Sequence, residues 1–234
     1  MSDYAGQPCV MGIDVGGLLH VVIREHVPYV RGTDRIPRQE KPARLWLAQA
    51  IDWAELDSLV ARFQVKSVVI DAAPELTLAR DFVVAHRPIA WLARYDQHNG
   101  NLYKKDTPKR SDEPRVLHID RLMAMDETLE RVRGCQVELP RDARHLGGAI
   151  KHGQGEYYRQ MQAPQRVLEK DSQGNPVWRW QDNGKDDHYA HAELYCMLAG
   201  MVSPSGASQL RVFTVASPSS LQRSRTHHLA VGEW

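Results

Sequence analysis

The chain has 234 residues, 42% hydrophobic and 25% charged, the makeup of an ordinary globular protein long enough to bury a full core. A formal net charge of +1 excludes a chain-wide field that would gather nucleic acid, so any such contact must come from local patches. The widely spaced Cys9, Cys135 and Cys196, with no C-x-x-C pair, exclude a disulfide framework and a zinc knuckle and favour a reduced, cytoplasmic setting. Met1–Gln7 is short and polar, unlike a signal peptide, and no window approaches the roughly 20 apolar residues of a spanning helix, so no membrane partner is expected.

Two apolar runs, Val10–Val15 and Leu18–Ile23, flank Gly16-Gly17 and predict a hairpin. A polar, Pro-bearing stretch from Pro28 to Pro42 reads as loop and Arg44–Ile51 as a third strand. Leu56, Leu59, Val60 and Phe63 have helical spacing, and Ser67–Asp71 is a buried strand. Pro74 suits the first position of a helix running to about His86, followed by a strand at Ile89–Ala93. Residues 95–112 read as loop, Val116–Ile119 as strand and Arg121–Val132 as helix. Residues 141–163 are expected to be helical, with breaks at their glycines. Arg166–Lys170 and Pro176–Trp180 predict a second hairpin, and the last firm helix spans about Asp187 to Gly200. The order implies an α/β fold: a mixed sheet with helices packed on it, as one domain over 1–202, then a flexible tail over 203–234.

Three acids stand where an acid is costly. Asp14 interrupts the first apolar strand, Asp71 ends a buried one, and Asp187 opens an apolar helix. Gly12 and Gly16 lie on the same side of their strand as Asp14 and would leave room there for an ion or a phosphate. Asp71 sits at the carboxyl end of a strand that reads as parallel, where open α/β sheets bind ligands; with Pro74 first in the helix, the cap would be Ala73 and not Asp71. Asp186 or Asp187 can equally serve as a helix cap. His188 and His191 share the same helix, with His191 four residues after Asp187, so ligand or proton-transfer roles are open to both. Three carboxylates can converge only around a cation, and carboxylate ligation favours Mg2+ or Mn2+ over zinc. Two such ions would activate a water and stabilise the leaving oxygen of a phosphodiester.

Four stretches carry a resemblance. They are Met11–Ile23 with Asp14; Val69–Glu75 with Asp71 and a following Pro-Glu; Val116–Arg121; and Asp187-His188-Tyr189-Ala190-His191-Ala192. In this order they resemble the ribonuclease H-like fold and, more narrowly, the nuclease domain of the large terminase subunit of tailed bacteriophages. The resemblance implies an endonuclease that cuts viral DNA during genome packaging in an infected or prophage-bearing cell. Metal would bind at Asp14, Asp71 and Asp187, with the 166–180 hairpin inserted near the cleft. Its implied partners are double-stranded DNA, a terminase ATPase, the small terminase subunit and a portal. The chain departs from the family pattern in two ways. His191 stands where many members carry a second Asp, leaving open which of Asp186, Asp187 and His191 completes the site, and no G-x-x-x-x-G-K-[ST] motif occurs.

DNA contact calls for cations near the cleft. Residues 131–166 supply Arg141, Arg144 and Lys151 among others, and Lys104 and Lys105 belong to a second cluster. Rival expectations are a junction resolvase of the same fold, a non-catalytic DNA-binding packaging module, and an actin-like or sugar-kinase ATP-binding protein. The last is weakened by Leu18 where its phosphate motif has Thr.

Overall fold

A computed structural model describes residues 4–31, 37–96, 101–151 and 153–203; the expected tail beyond 203 lies outside them. The strands are β1 (Cys9–Val15), β2 (Leu19–Glu25), β3 (Tyr29–Arg31), β4 (Pro37–Gln39), β5 (Ala43–Ile51), β6 (Val65–Asp71), β7 (Ala90–Tyr95), β8 (Tyr103–Asp106), β9 (Val116–Ile119), β10 (Val137–Glu138), β11 (Gln165–Lys170) and β12 (Pro176–Gln181). The helices are α1 (Leu56–Arg62), α2 (Leu76–Ala85), α3 (Arg121–Arg133), α4 (Glu156–Met161) and α5 (His188–Val202).

Eight strands form one mixed sheet in the order β10-β5-β2-β1-β6-β7-β9-β8. β1, β2 and β5 run antiparallel in sequence, whereas β1, β6, β7 and β9 are mutually parallel. This is the ribonuclease H-like arrangement: an antiparallel opening, then parallel strands, with β11–β12 as a separate inserted hairpin. The parallel strands end on one side of the molecule, which brings the region of Asp14, Asp71, Tyr95 and Arg121 together.

Strand alternation divides the interior in two. Met11, Ile13, Val68 and Ile70 pack beneath α1 and α2. Val10, Val22, Val69 and Ala93 face α3, α4 and α5. From Tyr189 to Val202 every residue of α5 is buried, so this helix is apolar nearly all round and forms the centre of its layer. It lies directly on β1 at Gly12, where a β-carbon would come within 2.1 Å of the Ala192 carbonyl oxygen and the Cys196 amide nitrogen. The expected open space beside Asp14 is therefore partly filled: Gly12 admits the helix, and Gly17 alone of these glycines faces nothing within 4 Å.

A buried ion pair ties α5 to the sheet. Arg24 Nε lies 3.4 Å from Glu193 Oε2, and the Tyr157 hydroxyl donates to Glu193 Oε1 at 2.7 Å.

Several local expectations change. The helix after β6 starts at Leu76 with Glu75 in the cap position, and Pro74 stands outside it. Asp71 is still not its cap, but it accepts from the Ala73 N–H at 3.3 Å. The 28–42 stretch carries β3 and β4, and the 95–112 stretch carries β8, antiparallel to β9. Within 141–163 only a short turn of helix at Ala143–His145 and α4 are helical. Gly147, Gly148 and Gly153 adopt φ of +81°, +104° and +78°, which no continuous helix allows.

Candidate metal centre

The hairpin builds the first part of the site. Its register pairs Asp14 directly with His20, so the carboxylate and an imidazole face each other across two strands. Asp14 is only 6% exposed. Its Oδ2 lies 2.8 Å from His188 Nδ1 on α5. The His20 and His188 rings stack at 4.4 Å with 15° between their planes, and the Tyr189 ring meets His20 edge-on at 4.9 Å. Among the described residues, Asp14, His20 and His188 form one group of side chains whose ligand atoms all lie within 4.8 Å of one another.

Asp71 comes from β6, one residue beyond the Ile13–Ile70 rung that couples it to β1. Burial, and then the neighbouring Asp14 carboxylate, push the Asp71 carboxyl up to about 6, against weaker opposing pulls from the Ala73 N–H, Tyr195 and His191. Two acids facing each other in a partly buried cleft raise one pKa unless a cation lies between them.

Asp71 and Asp187 lie outside the group of ligand atoms formed by Asp14, His20 and His188. Asp187 holds the N-cap position of α5, yet its side chain makes no capping bond. Its Oδ2 instead lies 3.2 Å from His191 Nε2. Burial raises the Asp187 pKa, but the hydrogen bond and charge of His191, with Arg121 and His188, outweigh it and hold the carboxyl below its ordinary range. Both His191 nitrogens are engaged: Nδ1 with the Tyr95 hydroxyl, and Nε2 with Asp187 and, at 3.4 Å, with Arg121. His191 thus stands between Tyr95 and Asp187, placed to orient the carboxylate. The buried Tyr195 hydroxyl sits beside Tyr95 and Asp71 but finds no partner in good hydrogen-bond geometry among the described residues.

The hydrogen bond to Asp14 raises the His188 pKa against the opposing effect of burial. Burial, and next the charge of His188, hold His20 below the usual imidazole range. One ring of the stack is thus biased toward imidazolium and the other toward the neutral form.

Other sequence candidates fall outside this group. Asp186 is exposed, although its charge reaches His20 and His188. Arg141, Arg144 and Lys151 are exposed on the segment that the Gly147 N–H anchors to the Ala48 carbonyl and that the Tyr189 hydroxyl contacts at the Gly147 carbonyl. That segment therefore borders the His20 side of the site. Lys104 and Lys105 lie on β8, at the far edge of the sheet, and alternate between its faces. They do not form one patch.

Sequence reasoning passed over His20, Tyr95, Tyr195 and Arg121. His20 was legible in principle, because a hairpin turning at Gly16-Gly17 brings residue 20 opposite residue 14. Tyr195 lies inside an apolar run, and Tyr95, between Arg94 and Asp96 at a strand end, has no spacing that links it to His191; neither carries such a signal.

A cleft of about 690 Å³ lies elsewhere, between α3 and the β11–β12 hairpin, lined by Asp126, Glu127, Glu130, Arg166 and Trp180. Its acids make it a poor seat for a phosphate.

No family model matches the chain, and neither does any curated protein. Among solved structures, the human cytomegalovirus terminase nuclease domain matches over 89% of this chain and 90% of that chain, at 10% identity and a TM-score of 0.45.

Proposed function

We propose that this chain is a divalent-metal-dependent DNA endonuclease of terminase type, cutting viral DNA during genome packaging. The observation that carries the reading is the placing of Asp71, half-buried at the carboxyl end of β6, one residue beyond the rung that couples β6 to the Asp14 strand, where burial and the Asp14 carboxylate push its pKa up. A site that forces two acids together in this way is built for positive charge. Asp14, Asp71 and Asp187 would hold Mg2+ or Mn2+, and carboxylate oxygens suit such hard ions. When bound, a pair of these ions supplies activation of the attacking water and stabilisation of the leaving oxygen.

The chain's own residues divide the remaining work. His191, fixed by Tyr95, aims Asp187 and keeps it ionised. Arg121, exposed at the start of α3 and 3.4 Å from His191, can receive a phosphate of the substrate. His188, 2.8 Å from the Asp14 carboxylate, would fix the orientation of that acid. Arg141, Arg144 and Lys151 would draw the duplex backbone along the His20 side. No base-reading element is evident, so weak sequence preference is expected. The 234 residues contain no phosphate-loop motif, so the motor that packaging requires would be an ATPase outside them, working with a small terminase subunit and a portal.

Plasmid cleavage tests the reading. Nicking and linearisation are expected with Mn2+, and should stop with EDTA and in Asp71→Asn. Activity that survives both treatments rules out the metal mechanism.

A further inference from the structure

We infer that His20 and His188 complete, with Asp14, a nitrogen-bearing metal position that selects Mn2+ or a similar imidazole-accepting ion over Mg2+. The inference rests on the reading of Asp14 as a metal ligand and goes beyond it by assigning both imidazoles and the class of ion.

Four observations converge. The hairpin register sets His20 opposite Asp14, and α5 brings His188 within 2.8 Å of the same carboxylate. The three side chains offer ligand atoms within 4.8 Å of one another. His20 Nδ1 is buried and has no hydrogen-bond partner among the described residues, a loss that a packing role leaves uncompensated. Both rings are held in place, His20 by the edge of Tyr189 and His188 against the open side of Gly16, where even a β-carbon would stand 3.5 Å from His188 Cε1.

The ligand chemistry then decides the ion. Two imidazoles and one carboxylate suit Mn2+, Fe2+ or Zn2+, whereas Mg2+ prefers oxygen and water throughout. Asp71 and Asp187 offer oxygen only, so a second ion held there would remain hard. The two positions would therefore differ in selectivity, with the softer ion at the hairpin.

Pulsed EPR of the full chain with Mn2+ alone, without DNA, tests this. The expected spectrum shows nitrogen-14 coupling from imidazole. His20→Gln and His188→Gln should each reduce that coupling and weaken Mn2+ binding at least ~10-fold, with Mg2+ binding unchanged. The wild-type spectrum decides the matter even where a variant does not fold. Mn2+ bound without nitrogen coupling overturns this proposal and leaves the nuclease reading standing; failure of the chain to bind any divalent ion sinks both.

Discussion

Gly12 and Cys196 meet backbone to backbone: a β-carbon on Gly12 would lie 2.1 Å from the Cys196 amide nitrogen. No side-chain rotation can relieve an overlap with main chain. Gly12→Ala must therefore lift α5 from β1, and with it Asp187, His188 and His191. A loss of at least about 3 kcal/mol is expected in urea unfolding, at the severe end for an overpacked core. Gly17→Ala, in the turn two residues beyond Val15 and with nothing within 4 Å, should stay within about 0.5 kcal/mol. Equal effects from the two substitutions would contradict the close approach of helix and strand.

Asp71 gives a pH-dependent prediction. Its folded pKa is about 6, above the ordinary carboxyl value of roughly 3.9 in an unfolded chain. The native state thus binds this proton more tightly, and the resulting stability is present below about pH 4 and lost as pH rises through about 6. The full difference amounts to roughly 3 kcal/mol. Asp71→Asn should accordingly stabilise the metal-free protein at pH 8, with little gain at pH 4.5, while abolishing cleavage. Urea titrations in EDTA at both pH values check this; an Asn variant less stable than wild type at pH 8 contradicts the strained pair of acids.

In the proposed mechanism Tyr95 and His191 position Asp187 rather than touch substrate. Tyr95→Phe removes the hydroxyl that fixes the His191 ring, and His191→Gln removes the partner of the Asp187 carboxylate. Each should lower kcat on the order of 10–100-fold with KM little changed, the usual cost of losing an orienting partner. A change confined to KM would place these residues in substrate binding instead.

Glu193 holds the buried Arg24 and accepts from Tyr157. Glu193→Ala leaves the guanidinium without its counter-ion in the core, and a loss of about 3–5 kcal/mol is expected. Tyr157→Phe removes one hydrogen bond and should cost only about 1–2 kcal/mol. Denaturant midpoints for the two variants give the comparison, and a mild Glu193→Ala would show that the pair is not dry.

If the chain cuts DNA as proposed, the basic residues divide into two groups. Arg144→Glu and Lys151→Glu should weaken duplex binding and flatten its salt dependence, since each would remove a proposed phosphate contact. Lys104→Glu, on the far edge strand, should do neither. Filter binding across a salt series separates the two groups.

Long apolar runs were the legible part of the fold. Val10–Val15 and Ser67–Asp71 announce strands, and each carries its acid at a position the structure brings into the same cleft. The short strands β3, β4 and β10 were not legible, since two or three residues give no period to read. The 141–163 segment misleads because Gly147 and Gly148 take up positive φ angles, and Gly147 packs closely against Tyr157 and Tyr189, contacts that no local periodicity announces. Within the site, acids in apolar settings stand out by their cost. Tyr195 does not, because a tyrosine in an apolar run is indistinguishable from core, and Tyr95, between Arg94 and Asp96, is linked to His191 only by the fold. The glycines were noticed for the wrong reason: Gly12 makes room for a helix, not for an ion.

The burial of α5 also sets an order of events during synthesis. β1, β2 and β6 are made early, yet one face of each is covered by a helix that begins at residue 188. Until that helix emerges from the ribosome, the sheet lacks half its core, and Asp14 and Asp71 lack the residues that meet them from above. The second core layer and the His188 contact to Asp14 therefore arise together, when α5 is made.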